Sequence, residues 1–141
     1  SEYKGQDLGE RETREICKRL LDMGSKHIIL KGIRRGDEPM MWNAIASREG
    51  SYTETGHPCV EAMMHGTGDL FASIITAGIF SGKDLEETVV FAGKFVHDAM
   101  VYSLTQEGWR ERGVNFEPFL SYVADFCAHE RSRVQAPELS K

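Results

Sequence analysis

The sequence predicts an α/β fold in which a helix, a strand and a β-hairpin are followed by three helices. Apolar residues recur at helical spacing over residues 10–23, and a short β-branched run at residues 27–30 follows them closely. Alternating segments at residues 40–46 and 52–55 flank a polar turn and indicate the hairpin. Beyond residue 66 the apolar segments are long and rich in Ala, Ile and Leu, which is typical of helices.

One helix and three strands are therefore expected in the first half. Gly24 follows the helix and can end it in a left-handed conformation. The nearly continuous apolar run at residues 27–30 is typical of a buried strand in a parallel sheet. Such a strand would lack a neighbour in this chain and leave an open edge. Residues 32–39 are expected to form a solvated turn.

The second half of the chain is predicted to contain three helices. The first spans residues 67–81, and the second continues for about 20 residues from a cap at Asp84. Residues 108–115 are expected to form a loop. The last helix should begin near Phe116, accept a proline in its first turn, and bury five apolar side chains, namely Phe119, Leu120, Val123, Phe126 and Cys127.

Composition limits the classes of protein to which the chain can belong. Its 141 residues include 17 Lys and Arg against 22 Asp and Glu, and the resulting charge of −5 disfavours a nucleic-acid-binding surface. The longest apolar stretch, residues 70–80, is shorter than the roughly 20 residues of a membrane-spanning helix. The first residues lack the apolar core of a secretory signal, and three scattered cysteines make no disulfide framework. We expect a cytoplasmic protein without nucleic-acid or membrane partners.

One segment differs from this scaffold, because a polar turn with two glycines leads directly into an apolar helix. Residues 65–69, His-Gly-Thr-Gly-Asp, are named the glycine turn here. Glycine lacks the β-carbon that would keep a bound group away from the main chain. The unpaired N–H groups of a first helical turn and the helix dipole favour a bound anion. We therefore expect the main-chain amides of Gly66, Thr67 and Gly68 to bind phosphate.

An aspartate within such a turn requires an explanation, because its charge would repel a phosphate. Catalysis of phosphoryl transfer provides one: the amides would stabilise the moving phosphoryl group, and Asp69 would orient the accepting hydroxyl and take its proton. The alternative is a plain turn that starts a helix. Both interpretations remain open on the residues alone.

Other candidate residues have simpler explanations. His57, Cys59 and His65 match no common zinc spacing, so they are expected to be ordinary loop residues and no metal site is predicted. Cys17 is expected to be a small core residue. Trp42 could stack on an adenine ring, although packing within the hairpin explains it at least as well.

Residues 65–96, which begin HGTGDLFASIITAGIF, closely resemble the C-terminal segment of pyridoxal kinases in the ribokinase-like superfamily. In that family a Gly-Thr/Ala-Gly-Asp turn opens a helix rich in small residues. Residues 3–32 are similar to the helix and strand before the family's nucleotide-binding hairpin, and GVNFEPFL at residues 113–120 resembles the end of some bacterial members. His65 is closer to the related hydroxymethylpyrimidine kinases, whose motif resembles HGTGC, whereas Asp69 favours the vitamin B6 kinases.

The resemblance implies a ribokinase-like three-layer fold, with Asp69 as catalytic base beside an anion hole made by the amides of residues 66–68. It implies ATP as co-substrate, Mg²⁺ without ligands in this sequence, and the 5′-hydroxymethyl group of pyridoxal, pyridoxine or pyridoxamine as acceptor. Lys31 and Gly32 would contact the nucleotide, although the family usually has a hydroxyl residue there. A homodimer is expected. One alternative is a kinase of the same superfamily with hydroxymethylpyrimidine or a sugar as acceptor. The other is a nucleotide-binding remnant without catalytic activity.

Members of this family are about twice as long as this chain, and the missing N-terminal half would supply the substrate pocket. Residues 1–130 are expected to be the C-terminal, nucleotide-binding part of one ribokinase-like domain, and residues 131–141 a frayed polar tail. We expect the isolated chain to be a fragment of low stability with negligible kinase activity.

Overall fold

A computed structural model describes residues 8–128, and the chain divides into two compact units. The first unit extends to Cys59 and the second begins at Val60. Over residues 8–128, no helix combines the length and the apolar character needed to cross a membrane. The predicted tail at residues 131–141 lies outside the described residues.

The first unit is a helix packed on a three-stranded antiparallel sheet. Its elements are α1 at Glu10–Asp22, β1 at His27–Ile33, β2 at Met40–Ser47 and β3 at Tyr52–Pro58. The strands lie in the order β1-β2-β3 across the sheet. The hairpin prediction is confirmed, with β2 and β3 paired from Met40 opposite Pro58 to Ala46 opposite Tyr52.

Helix α1 covers the sheet with a narrow stripe of small side chains. Thr13 and Cys17 lie one turn apart and are both buried. Cys17 is 1% exposed and belongs to a cluster with Ile33, Ala44 and Ala46. The expectation that Cys17 is a small core residue is confirmed.

Strand β1 differs from its prediction in partner and in length. It pairs antiparallel with β2, with His27 opposite Ser47, so the expected parallel strand without a neighbour is wrong. An apolar run indicates a strand but does not choose between the two orientations, and a short connection allows only antiparallel pairing. The strand also extends to Ile33, which is 3% exposed, so residues 32 and 33 belong to β1 rather than to the expected solvated turn.

The second unit is helical. Helix α2 spans Thr67–Phe80 and α3 spans Leu85–Leu104, close to their predicted bounds. The predicted cap is confirmed, because the Asp84 side chain accepts a hydrogen bond of 3.1 Å from the Glu87 N–H. The remaining elements are α4 at Trp109–Arg112, a 3₁₀ turn at Glu117–Phe119 and a helix described over residues 120–128.

Helices α2 and α3 pack against each other, and Gly78 of α2 lies directly against Thr88 of α3. A β-carbon at Gly78 would lie 2.4 Å from Cγ2 of Thr88, so only glycine fits at this position. Thr88 is fully buried, and its hydroxyl donates to the Asp84 carbonyl at 2.7 Å. The buried apolar residues of the pair are Leu70, Phe71, Ile74, Ile75, Val89, Ala92, Phe95 and Ala99.

The end of the described chain departs from its prediction in two ways. The expected loop at residues 108–115 contains α4. This helix has only four residues, which are too few to show a periodic apolar pattern. The last helix buries none of the five predicted side chains: Leu120 is 49% exposed, and the other four are half-buried. Its aromatic residues pack on α3, with the ring of Phe126 stacked on Phe91 at 4.1 Å between centroids, and this contact covers only one side of the helix.

Candidate anion-binding site

The glycine turn forms the N-terminal end of α2. Gly66 adopts a left-handed conformation, with φ of 88° and ψ of −6°, in which most other residues would be strained. The first bond of the helix joins the Leu70 N–H to the Gly66 carbonyl at 2.9 Å. No side chain caps the helix, because the residue at the N-cap is Gly66. The Thr67 hydroxyl donates to the Met64 carbonyl at 3.3 Å.

The main-chain N–H groups of the glycine turn are available for a ligand. Across residues 8–128, no acceptor lies within hydrogen-bond distance of the N–H groups of residues 66–69. The first turn of a helix leaves such donors unpaired, and the aligned peptide dipoles add a partial positive charge there. Gly66, Gly68 and Asp69 are exposed and Thr67 is half-buried, so an anion can reach this end of the helix.

Asp69 lies in the first turn of α2, three residues after Gly66. Its carboxylate makes no hydrogen bond or ion pair with another described residue. Its carbonyl accepts from the Ser73 hydroxyl at 2.8 Å, which is an ordinary bond within the helix. The structure thus places four main-chain donors and one uncommitted carboxylate in a single turn.

A loop distant in sequence contacts the glycine turn. The Val114 N–H donates to the His65 carbonyl at 3.0 Å, and Gly113 lies directly against His65. We name residues 113–115 the supporting loop. Sequence reasoning assigned no role to it, and the signal that could have indicated one is the glycine within GVNFEPFL, since an isolated glycine often marks a close approach of two backbones.

Lys31 and Gly32 lie in the first unit, at an irregularity of β1. The pairing of β1 with β2 shifts register between Leu30 and Ile33, and Gly32 has a φ of +74°. The Gly32 N–H donates to Oδ1 of the buried Asn43 at 3.1 Å, which fixes this bulge. Protein atoms that displace water from its ammonium group lower the pKa of Lys31 below its ordinary value.

The histidine and cysteine that precede the glycine turn in sequence have separate contacts, and His57 lies in β3 rather than in a loop. The Arg34 guanidinium donates to the Cys59 sulfur at 2.8 Å, and His57 Nδ1 lies 3.2 Å from the Pro58 carbonyl. No three His, Cys, Asp or Glu side chains come together as metal ligands between residues 8 and 128. We assign none of the described residues to a Mg²⁺ ion.

The described α/β fold matches part of solved pyridoxal kinases, which have the ribokinase-like fold. More specifically, the chain belongs to the phosphomethylpyrimidine kinase family, whose family model matches residues 4–112. The expected relationship to this superfamily is confirmed, as is the partial ribokinase-like α/β fold.

The proteins that this chain resembles include both hydroxymethylpyrimidine kinases and pyridoxal kinases. The hydroxymethylpyrimidine/phosphomethylpyrimidine kinase of Staphylococcus aureus (strain MRSA252) is 34% identical over 92 residues, which are 65% of this chain and 33% of that protein. The pyridoxal kinase of Entamoeba histolytica shares the fold with a TM-score of 0.70 and 18% identity, over 84% of this chain and 41% of that one. Plasmodium falciparum PdxK, crystallised with AMP-PNP and PL, matches with a TM-score of 0.66 and 17% identity, over 85% and 40%.

The matched region is only part of each relative. The chain spans about a third of the length of the curated relatives it matches and about two fifths of the solved structures.

Proposed function

We propose that the glycine turn binds and stabilises a phosphoryl group during ATP-dependent phosphorylation of a hydroxymethyl group, with Asp69 as the base. The proposal depends on one observation: the N–H groups of residues 66–69 have no acceptor among the described residues, and the Asp69 carboxylate in the same turn has no partner there.

The chemistry follows from the charges that develop during transfer. In a loose transition state, negative charge spreads over the oxygens of the moving phosphoryl group, and N–H donors held in place by a helix stabilise it without reorganising. The accepting hydroxyl needs little activation beforehand, so an ionised carboxylate within hydrogen-bond distance is a sufficient base. Gly66, Thr67 and Gly68 would supply the donors, and Asp69 would orient the hydroxyl and accept its proton.

The acceptor that we favour is the 5′-hydroxymethyl group of pyridoxal, pyridoxine or pyridoxamine. Its support is the aspartate at position 69, together with a fold shared with pyridoxal kinases. Hydroxymethylpyrimidine is the second candidate, because the family model and the relative with 34% identity are both named for that chemistry. His65 also fits the second candidate better.

We propose further that the chain acts as the nucleotide-binding part of a longer kinase. Residues 1–130 would belong to one ribokinase-like domain, with Lys31 and Gly32 as further nucleotide contacts and ATP bound as its Mg²⁺ complex. Support comes from the partial match to each relative. Assembly as a homodimer and a cytoplasmic location also remain proposals.

Calorimetric titrations of the 141-residue chain with ATP, pyridoxal and hydroxymethylpyrimidine test this function. We expect ATP to bind and neither acceptor to bind, because the acceptor pocket would lie in the rest of the longer protein. Binding of pyridoxal as well as ATP would contradict the proposal that this chain is a part. Absence of ATP binding would contradict the proposed role of the glycine turn. In the full-length protein, the rates of phosphorylation of pyridoxal and of hydroxymethylpyrimidine decide which of the two is the acceptor.

A further inference from the structure

The supporting loop contacts the glycine turn at one peptide group. The Val114 N–H donates to the His65 carbonyl at 3.0 Å. That carbonyl and the Gly66 N–H belong to the same planar trans peptide, so the two groups point in opposite directions. Fixing the carbonyl of His65 on the side of the loop therefore fixes the direction in which the Gly66 N–H points.

Gly113 allows the loop to come this close. Its φ of 80° and ψ of −163° form a combination that is essentially restricted to glycine. A β-carbon at this position would also lie 2.6 Å from the His65 carbonyl oxygen and 3.2 Å from the His65 β-carbon. Both the backbone conformation and the available space thus require glycine here.

The other end of the supporting loop is attached to the last turns of α3. Ser103, which is 1% exposed, accepts from the Asn115 N–H at 2.8 Å and donates to the Ala99 carbonyl at 2.7 Å. The Asn115 side-chain amide donates to Gln106 Oε1 at 3.0 Å. The loop is therefore held by a buried hydroxyl on α3 and by a second, partly buried hydrogen bond.

We infer that Ser103 and Gly113 are positioning residues, which act through the supporting loop to set the main-chain conformation of the glycine turn. Neither would touch a bound phosphate. The functional meaning of this contact rests on the proposed function of the glycine turn, but the contact itself can be tested without a ligand.

Two glycine variants separate this role from ordinary backbone strain. Gly113→Ala would place a β-carbon against His65, whereas Gly82→Ala, at a φ of +78°, has no atom within 4 Å of the new β-carbon. Both variants introduce an alanine at a positive φ into the second unit. We expect Gly113→Ala alone to shift the amide resonances of residues 66–69 in a ¹⁵N–¹H spectrum of the free chain. We expect the same variant to weaken ATP binding about tenfold, the cost of one misdirected hydrogen bond to a charged group.

A second pair of variants serves if Gly113→Ala does not fold. Ser103→Ala removes the acceptor of the Asn115 N–H. Thr105→Ala removes an exposed hydroxyl that donates to the Tyr102 carbonyl at 2.6 Å. Ser103→Ala should shift the same four amides, and Thr105→Ala should leave them in place. Circular dichroism verifies that each variant is folded.

The outcomes distinguish this inference from the proposed function. A folded Gly113→Ala or Ser103→Ala chain with unchanged amide resonances at residues 66–69 would overturn the inference, whatever its affinity for ATP. Shifted resonances in a chain whose wild type binds no ATP would uphold the positioning role and contradict the proposed function. Shifted resonances together with weaker ATP binding would support both.

Discussion

Asp69 combines a favourable position with an electrostatic cost. Its carboxylate lies in the first turn of α2, where a helix dipole stabilises negative charge, and it has no partner in residues 8–128. The same charge would repel a phosphate bound to the neighbouring amides, as we propose for this turn. For phosphate binding alone, a neutral side chain at position 69 would therefore be better than aspartate. A catalytic base, in contrast, must be ionised.

Asp69→Asn is expected to separate binding from catalysis. Removing the repulsion should tighten ATP binding to the 141-residue chain a few-fold, since two charges about 4 Å apart in water interact by about 1 kcal/mol. In a full-length protein the same change should lower kcat by about 10²–10⁴-fold through loss of the base. Asp98→Asn, on α3, removes the same charge from a residue that pairs with Lys94 and should change neither quantity. Weaker ATP binding in Asp69→Asn would contradict the assigned role.

Tyr52 in the first unit is expected to make stability depend on alkaline pH. Burial, with the negative charge of Glu54 as the next cause, raises the pKa of Tyr52 to about 12. An unfolded tyrosine ionises at a pKa of about 10. Between these values the unfolded chain releases a proton that the folded chain keeps, so the stabilising contribution is complete below about pH 10 and is lost as the pH rises to about 12.

Urea denaturation across this range measures the effect. Tyr52→Phe should flatten the loss of stability between about pH 10 and 12, because phenylalanine does not ionise. Tyr122→Phe is the matched control, since Tyr122 is 57% exposed. Equal pH profiles for wild type and Tyr52→Phe would show that the environment of Tyr52 is not as described.

At the scale of elements, the sequence predicted those whose pattern is long enough to be unambiguous. The periodicity of α1 and α3, the alternation of β2, and the glycine-led start of α2 each determined their element. The partner of β1 could not be predicted, because an apolar run fits a parallel and an antiparallel neighbour equally. The contact of Gly113 with His65 was also beyond local patterns, since α2 and α3 separate the two residues in sequence.

The contact between α2 and α3 is expected to tolerate no added methyl group. Alanine at position 78 would favour the helix by up to about 1 kcal/mol over glycine, but overpacking a buried contact costs about 1–3 kcal/mol. Because the new β-carbon would lie 2.4 Å from Thr88, we expect Gly78→Ala to lower the free energy of unfolding by about 1–2 kcal/mol. Thermal or urea denaturation measures this change. The double variant Gly78→Ala/Thr88→Ala should recover part of the stability that Gly78→Ala loses. If the double variant and Gly78→Ala are equally stable, the packing described is contradicted.

At the scale of the whole molecule, several large apolar side chains of the described residues are uncovered. Met63 is 90% exposed and Phe80 is 86% exposed. Such side chains are usual at surfaces that another part of a protein covers. They fit the proposal that the chain is a part of a longer kinase, as does its match to only a third of its curated relatives.

The isolated chain is accordingly expected to release no ADP above background when incubated with Mg²⁺-ATP and pyridoxal. The donors and the base would be present, but the pocket that orients the acceptor would be absent, and orientation contributes a large share of the rate in such reactions. A coupled assay of ADP release measures this activity, with Asp69→Asn as the blank. Robust turnover that Asp69→Asn abolishes would contradict the proposal that the chain is incomplete.

The most direct measurement is a titration of the ¹⁵N-labelled chain with ATP, followed by the same titration with adenosine, which lacks phosphates. If the glycine turn is the phosphate site, ATP will shift the amide resonances of Gly66, Thr67, Gly68 and Asp69 in a saturable way, and adenosine will leave them unchanged. If ATP shifts resonances elsewhere in the chain while those four amides do not move, the account is wrong.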